Sequence, residues 1–98
     1  MATVYLGVGS NIERERYITA GLDALLQLFG ELALSPVYES EAIGFDGEPF
    51  LNLVARVETN LDVGALQKAL RHIEYEHGRP QNASRFSARQ LDITNRKR

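Results

Sequence analysis

The residues with the clearest capacity for chemistry lie in segment 89–94 of the sequence. Leu91 and Ile93 alternate there with Asp92 and Thr94. On a strand, this alternation places the two apolar side chains on one face and the two polar ones on the other. Two carboxylates at this spacing would hold divalent cations side by side. One carboxylate and one hydroxyl occupy the two positions here, so the segment reads as half of a metal site.

A second candidate group comes from two other alternating segments. Residues 3–9 alternate between apolar residues and a nearly bare face with two glycines, and glycine in a strand often marks close approach by a ligand or another backbone. Residues 50–59 would place Phe50 and Asn52 on that same face. An aromatic ring stacks on planar heterocycles and an amide reads their hydrogen-bonding edges. The residues alone leave open that these two are ordinary members of a half-covered strand.

Two helices are expected to position these residues. Apolar residues recur at helical spacing over 18–29, with residues 10–11 as a turn and cap and Gly30 as the stop. Asp62 can cap a second helix. The apolar stripe of that helix consists of Leu66, Leu70 and Ile73.

The remaining segments complete the predicted fold. Residues 32–38 predict a strand at a sheet edge, because Pro36 cannot donate to a central ladder, and residues 39–49 predict a loop. A final strand is expected around 90–94. The order βαββαβ favours an α+β, ferredoxin-like domain over residues 1–98, with a four-stranded antiparallel sheet and both helices on one face.

Composition limits the functional classes. No stretch approaches the ~20 apolar residues of a membrane helix, no secretory signal precedes the first strand, and the absence of cysteine fits a cytoplasmic protein. Residues 1–78 carry 5 Lys/Arg against 12 Asp/Glu, a net −7, whereas residues 79–98 carry 6 against 1, a net +5. The basic end indicates an anionic partner. The acidic remainder makes nucleic acid an unlikely partner, and residues 95–98 are expected to form a solvated tail.

Two further pairs of residues carry weaker signals. Glu74 on the second predicted helix and Arg79 just after it combine a carboxylate with a guanidinium, and a surface ion pair is the alternative interpretation. His72 and His77 have no further ligand at metal-binding spacing, so zinc is not expected.

Several of these motifs occur together in one known family. The segments concerned are residues 5–11, 35–41, 44, 50–52, 73–74, 78–79 and 89–93. In this order they resemble the 6-hydroxymethyl-7,8-dihydropterin pyrophosphokinases of folate biosynthesis. The motifs are individually modest but jointly specific, and the resemblance spans essentially the whole sequence.

The resemblance implies an activity and a set of site residues. Such enzymes transfer the β,γ-pyrophosphoryl group of ATP to the hydroxymethyl group of a reduced pterin, with two Mg²⁺ ions held between the phosphates and two aspartates. The pterin-binding positions it implies are Ser40, Glu41, Ile43, Phe50 and Asn52. The ATP-binding positions are Glu74, Arg79 and Arg89; the metal ligand is Asp92; and the catalytic residues are Arg89 and Asp92.

The sequence departs from the family at several of these positions. Thr94 stands where the second aspartate is expected, Arg71 replaces a usual glutamine near the nucleotide, and Gln81 replaces an arginine. Family members are also longer, so the chain is expected to be a C-terminally shortened member with impaired or no activity. The alternative is a non-catalytic pterin- or nucleotide-binding module. A homodimer through an exposed sheet edge is also predicted.

Overall fold

The structure is a computed structural model, and it describes residues 1–41, 47–78 and 90–96. Over these ranges the chain forms β1 (Ala2–Ser10), α1 (Arg14–Phe29), β2 (Ala33–Leu34), β3 (Tyr38–Ser40), β4 (Phe50–Thr59), α2 (Val63–Glu76) and β5 (Asp92–Arg96). The strands pair antiparallel in the order β2-β4-β1-β5, and β3 also pairs with β4. This arrangement confirms the predicted α+β, ferredoxin-like fold, with five described strands where four were expected.

The additional strand arises because the predicted strand over 32–38 is interrupted. Pro36 lies between β2 and β3, and proline has no N–H to offer a ladder. Ser35 keeps the segment attached, since its N–H donates to the carbonyl oxygen of Val54 at 2.9 Å and its Oγ accepts from the N–H of Val54 at 2.8 Å. The predicted edge position is confirmed, because both short strands pair with β4 alone among the described strands.

The last strand differs from its prediction in position. It runs from Asp92 to Arg96, two residues later than the predicted 90–94. Asn95 and Arg96 pair with β1 and therefore belong to the sheet. Their assignment to a solvated tail was wrong, because ladder pairing uses main-chain groups and takes place irrespective of polar side chains.

The core lies between one face of the sheet and the two helices. Its buried members are Leu6, Val8, Ile18, Leu25, Leu53, Ala55, Val57, Leu66, Leu70, Ile73, Leu91 and Ile93. They come from both helices, from alternate positions of the three long strands and from the residue before β5, as the two periodicities require. Each fully buried Leu or Ile contributes about 1.5–3 kcal/mol relative to exposure. The predicted stripe of the second helix is confirmed.

Helix α1 begins differently from its prediction and ends as expected. The cap position is Glu13, in the left-handed region at φ 45° and without a side-chain cap, whereas residues 10–11 precede it. Ser10 instead donates its hydroxyl to the carbonyl oxygen of Ile12 at 3.1 Å. At the other end Gly30 has φ 81°, and its N–H donates to a carbonyl of the last turn at 2.7 Å. Glycine adopts this conformation without steric cost.

Helix α2 begins at the predicted cap. The Asp62 carboxylate accepts a hydrogen bond from the N–H of Ala65 at 2.8 Å, which satisfies one of the free donors of the first turn. The helix ends at Glu76, followed by His77 as the C-cap. Within the described ranges, no helix has the length and apolar character needed to cross a membrane.

Candidate functional site

The face of the sheet opposite the helices carries most of the candidate site. Strand register places Tyr38, Asn52, Gly9 and Asp92 opposite one another on β3, β4, β1 and β5. Residues directly opposite in a ladder point to the same face, so these four form a row, which we call the open-face row. Asn52 and Asp92 are two strand spacings apart in it, about 10 Å between their main chains. A predicted pterin contact and the predicted metal ligand therefore lie on either side of a glycine.

The absence of a side chain at Gly9 lets its neighbours lie close to β1. A Cβ on Gly9 would lie 3.0 Å from Oδ1 of Asn52 and 3.6 Å from Cδ1 of Phe50. The Asn52 amide nitrogen donates to Ser40 Oγ at 2.8 Å and to the Phe50 carbonyl oxygen at 3.3 Å. The structure thus brings together three of the predicted pterin-binding residues at one end of β4. A fourth, Glu41, follows β3 directly and is exposed.

Asn11 and Arg14, which are not among the predicted site residues, bind residues on the flanks of the segment between β3 and β4. Asn11 donates its amide to the carbonyl oxygen of Glu48 at 3.1 Å. Arg14 donates through Nη1 to Oε2 of Glu39 at 2.8 Å and to the carbonyl oxygen of Pro49 at 3.1 Å. Arg14 therefore connects the two flanks of this segment. No local pattern could reveal these contacts, because the partners are 25 to 37 residues apart in sequence.

A cavity of about 310 Å³ lies between α2 and β5. It is lined by Gln67, Leu70, Arg71 and Glu74 from the helix and by Asp92, Ile93, Thr94 and Asn95 from the strand. Its volume is at the lower end of the range for small-molecule sites. The cavity contains the predicted ATP contact Glu74 and the substituted Arg71, and it adjoins the predicted metal ligand.

Glu74 is the charged member of this cavity that is buried in the core. Its side chain lies on α2, and the residue is 3% exposed. Oε2 accepts a hydrogen bond of 2.7 Å from the N–H of Ile93. A buried carboxylate costs free energy unless it is hydrogen-bonded, and charge-assisted bonds of this length are among the stronger ones. Glu74 thus connects the helix that lines the cavity to the strand that carries Asp92.

Asp92 is the predicted metal ligand among the described residues. In the described part of the chain, no group of three or more His, Cys, Asp or Glu side chains could hold a metal. Mg²⁺ is commonly held by one or two carboxylates together with substrate phosphates and water. Asp92 supplies one such carboxylate, which is enough for one Mg²⁺ that is also bound by a polyphosphate. Thr94, on the same face, offers a neutral oxygen and no compensating charge.

Arg96 adds a positive charge to the open face that the sequence did not predict. A Cβ on Gly7 would lie 2.6 Å from Nε of Arg96 and 3.2 Å from its Nη2. The same Nη2 donates to the Tyr38 hydroxyl at 3.4 Å. The guanidinium therefore lies across β1, and it can do so because Gly7 has no side chain. Thr94 is the residue of β5 opposite this glycine.

Several residues named from the sequence lie outside the described residues: Ile43, Gly44, Arg79, Gln81, Arg89 and the last two residues of the predicted tail, 97–98. Their assigned roles remain predictions. The described part of the site joins Ser40, Phe50 and Asn52 at one end and Glu74 and Asp92 at the other.

Comparison with known proteins identifies the family. The family model described as 7,8-dihydro-6-hydroxymethylpterin-pyrophosphokinase matches residues 5–94 of this chain. The chain belongs to the pterin pyrophosphokinase family. The resemblance inferred from the short motifs is thereby confirmed, and the match includes every residue of the open-face row.

Three curated relatives within the pterin pyrophosphokinase family are 38–40% identical to the chain over their aligned residues. The enzyme named 2-amino-4-hydroxy-6-hydroxymethyldihydropteridine pyrophosphokinase from Aquifex aeolicus is 38% identical over 95 residues, which is 95% of this chain and 59% of the relative. The enzyme of the same name from Pseudomonas aeruginosa is 40% identical over 94 residues, 92% of this chain and 57% of the relative. The enzyme of the same name from Porphyromonas gingivalis is 38% identical over 98 residues, which is 95% of this chain and 67% of the relative. The chain thus spans between 57 and 67% of the length of these relatives.

Proposed function

We propose that the chain carries out, at a reduced rate, pyrophosphoryl transfer from ATP to 6-hydroxymethyl-7,8-dihydropterin in the cytoplasm. The family membership supports the reaction class, and the open-face row carries the assignment to this chain. In the reaction, the hydroxymethyl oxygen bonds to the β-phosphorus of ATP. The bond from that phosphorus to the oxygen bridging to the α-phosphorus breaks, AMP departs with that oxygen, and the hydroxyl proton is released to solvent.

The pterin is assigned to the end of β4. The Phe50 ring can stack on its planar ring system, and Asn52 can read its donor and acceptor edge. Ser40 fixes the amide of Asn52 through the 2.8 Å hydrogen bond, which orients the amide oxygen over Gly9. Glu41 and Ile43 keep the role of pterin contacts that the family resemblance implies.

ATP is assigned to the cavity between α2 and β5, and Arg79 and Arg89 keep the ATP-binding role that the family resemblance implies. Mg²⁺ supplies charge neutralisation of the phosphates, and Asp92 is the residue assigned to hold it. Phosphoryl transfer depends mainly on positioning and on charge. Replacing one of two charged metal ligands by Thr94 is therefore expected to raise the barrier by about 3–5 kcal/mol, or roughly 10²–10⁴-fold in rate.

Formation of AMP tests the proposal. The purified chain is incubated with saturating ATP, Mg²⁺ and the hydroxymethyl pterin, and AMP is measured against the same mixture without pterin. We expect slow, pterin-dependent AMP formation that Asp92→Asn abolishes and Glu76→Gln preserves, because Glu76 lies on the exposed side of α2. Absence of AMP in the wild-type reaction would refute the claim that this chain is a working enzyme.

A non-catalytic binding module is the second candidate function, and Thr94 at the position of the second carboxylate favours it. Pterin binding through β4 needs no metal, so it would persist where transfer fails. Calorimetry with the pterin and, separately, with a non-hydrolysable ATP analogue distinguishes the candidates. Binding of either ligand without AMP formation identifies a module, and no heat with either ligand would leave the chain without a small-molecule function.

A further inference from the structure

The hydrogen bond between Glu74 and Ile93 lies on the side of β5 that faces away from β1. The N–H of Ile93 belongs to the peptide group whose carbonyl is that of Asp92. Strand β5 pairs with β1 through an antiparallel ladder, in which alternate residues point their main-chain groups toward the partner strand. Because the N–H of Ile93 donates to Glu74, it points away from β1. Glu74 thus holds β5 from the side opposite to its ladder.

The burial of Glu74 supports a structural role for this contact. The residue is 3% exposed, whereas its neighbour Arg71 on the cavity wall is exposed. A carboxylate that is enclosed and bonded to a main-chain N–H at 2.7 Å presents little surface to a nucleotide. The same bond fixes the plane of the peptide that follows the predicted metal ligand.

We propose that Glu74 is a positioning residue, which holds the Asp92–Ile93 peptide against α2 and thereby sets the direction of the Asp92 carboxylate. It acts on the metal through Asp92, a role that replaces the ATP contact implied for Glu74 by the family resemblance. Outer partners that orient a metal ligand commonly affect metal affinity by about 10–100-fold when they are replaced. The part of this inference that concerns the metal rests on the proposed function, whereas the part that concerns β5 does not.

Three variants of the full chain test the inference. Glu74→Met removes the acceptor at similar volume, and Glu74→Gln keeps an acceptor oxygen and loses the charge. Glu76→Gln is the matched control, since it makes the same chemical change two residues further along α2 at a side chain that is 59% exposed. Amide hydrogen exchange is followed at Ile93 by NMR. Mn²⁺ affinity is measured by calorimetry on the chain saturated with an ATP analogue, and metal-free binding of the analogue is measured separately.

We expect Glu74→Met to speed exchange at Ile93 by about 10-fold or more, because its N–H loses its partner. Mn²⁺ affinity should fall by about 10–100-fold, while metal-free binding of the analogue changes little. Glu74→Gln should give intermediate effects, because a neutral bond is roughly half as strong as a charged one. Glu76→Gln should match the wild type.

Other results would overturn the inference. Wild-type exchange at Ile93 in Glu74→Met would do so, as would loss of analogue binding with Mn²⁺ affinity unchanged. If Glu74→Met does not fold, Glu74→Gln takes its place in the test. The rate of amide exchange at Ile93 must then be higher in Glu74→Gln than in Glu76→Gln. A wild-type chain that binds neither Mn²⁺ nor the analogue would refute the proposed function; exchange at Ile93 that still depends on Glu74 would then support the role in β5.

Discussion

Replacing Gly21 by alanine tests how tightly α1 packs against the residue that precedes β5. Gly21 is buried on the inner side of the helix. A Cβ built there would lie 2.8 Å from Cδ1 and 3.1 Å from Cδ2 of Leu91. Leu91 is 0% exposed and is enclosed by the core, so its side chain cannot swing into solvent. The new methyl group must therefore displace Leu91, which is joined directly to Asp92.

Two opposing effects determine how much Gly21→Ala changes the free energy of unfolding. Alanine in place of glycine in a helix interior favours the folded state by about 1 kcal/mol. Overpacking a well-filled core typically costs about 1–3 kcal/mol. We therefore expect Gly21→Ala to lower the free energy of unfolding by about 0–2 kcal/mol, the difference of the two effects.

Urea unfolding of matched variants measures this difference. Gly64 provides the control, since it lies in the first turn of α2 and an added Cβ would meet only Oδ1 of Asp62 at an ordinary 3.5 Å. Gly64→Ala should raise the free energy of unfolding by up to about 1 kcal/mol. Stabilisation of similar size by Gly21→Ala would contradict the packing argument.

A double variant shows whether the contact itself is responsible. Leu91→Ala alone should cost about 2–5 kcal/mol, because it leaves a cavity. In the Gly21→Ala background the cost should be smaller, because the added methyl group then occupies part of that cavity. A coupling energy of about 1 kcal/mol between the two substitutions is expected, and additivity within error would refute the explanation.

Further predictions concern the helix cap, the loop flanks and assembly. Asp62→Ala should lower the free energy of unfolding by about 1 kcal/mol, measured by denaturant titration, and an unchanged midpoint would argue against the cap. Arg14→Met should weaken pterin binding in calorimetry by freeing Glu39 and Pro49, with less than about 1 kcal/mol lost in stability, whereas Arg16→Met should bind pterin normally. Equal affinity in the two arginine variants would contradict the role of Arg14. The predicted homodimer through a sheet edge should appear in light scattering in the micromolar range, and a monomer would count against it.

Alternation and capping chemistry predicted the parts of the fold that depend on local sequence. The third predicted strand matches β4 from Phe50 to Thr59, because every second side chain there enters the core. Asp62 marks a helix start, since its carboxylate accepts a hydrogen bond from an N–H of the first turn. Gly30 marks a helix end, since its N–H donates to a carbonyl of the last turn. The open-face row follows from the same alternation once the order of the strands is known.

Contacts between distant segments were not predictable in this way. Glu74 is four residues after Leu70 and continues the apolar stripe of α2, but its burial depends on an N–H that occurs 19 residues later. The segment around Pro36 is predicted as one strand, whereas the structure divides it into β2 and β3, and the Ser35 hydroxyl between them accepts a hydrogen bond from the N–H of Val54. Asn11 was read as a cap, whereas its amide is used by a carbonyl 37 residues away.

The guanidinium that lies across Gly7 makes positions 94 and 96 interdependent. A carboxylate introduced by Thr94→Asp would face the Arg96 guanidinium and pair with it, so that it would be unavailable to a cation. Thr94→Asp alone should thus leave Mn²⁺ affinity nearly unchanged in calorimetry, and Arg96→Met alone should do the same. Together they should tighten it by about 10-fold or more, a non-additive gain. A second metal ligand therefore requires both substitutions, since neither of them confers an advantage alone.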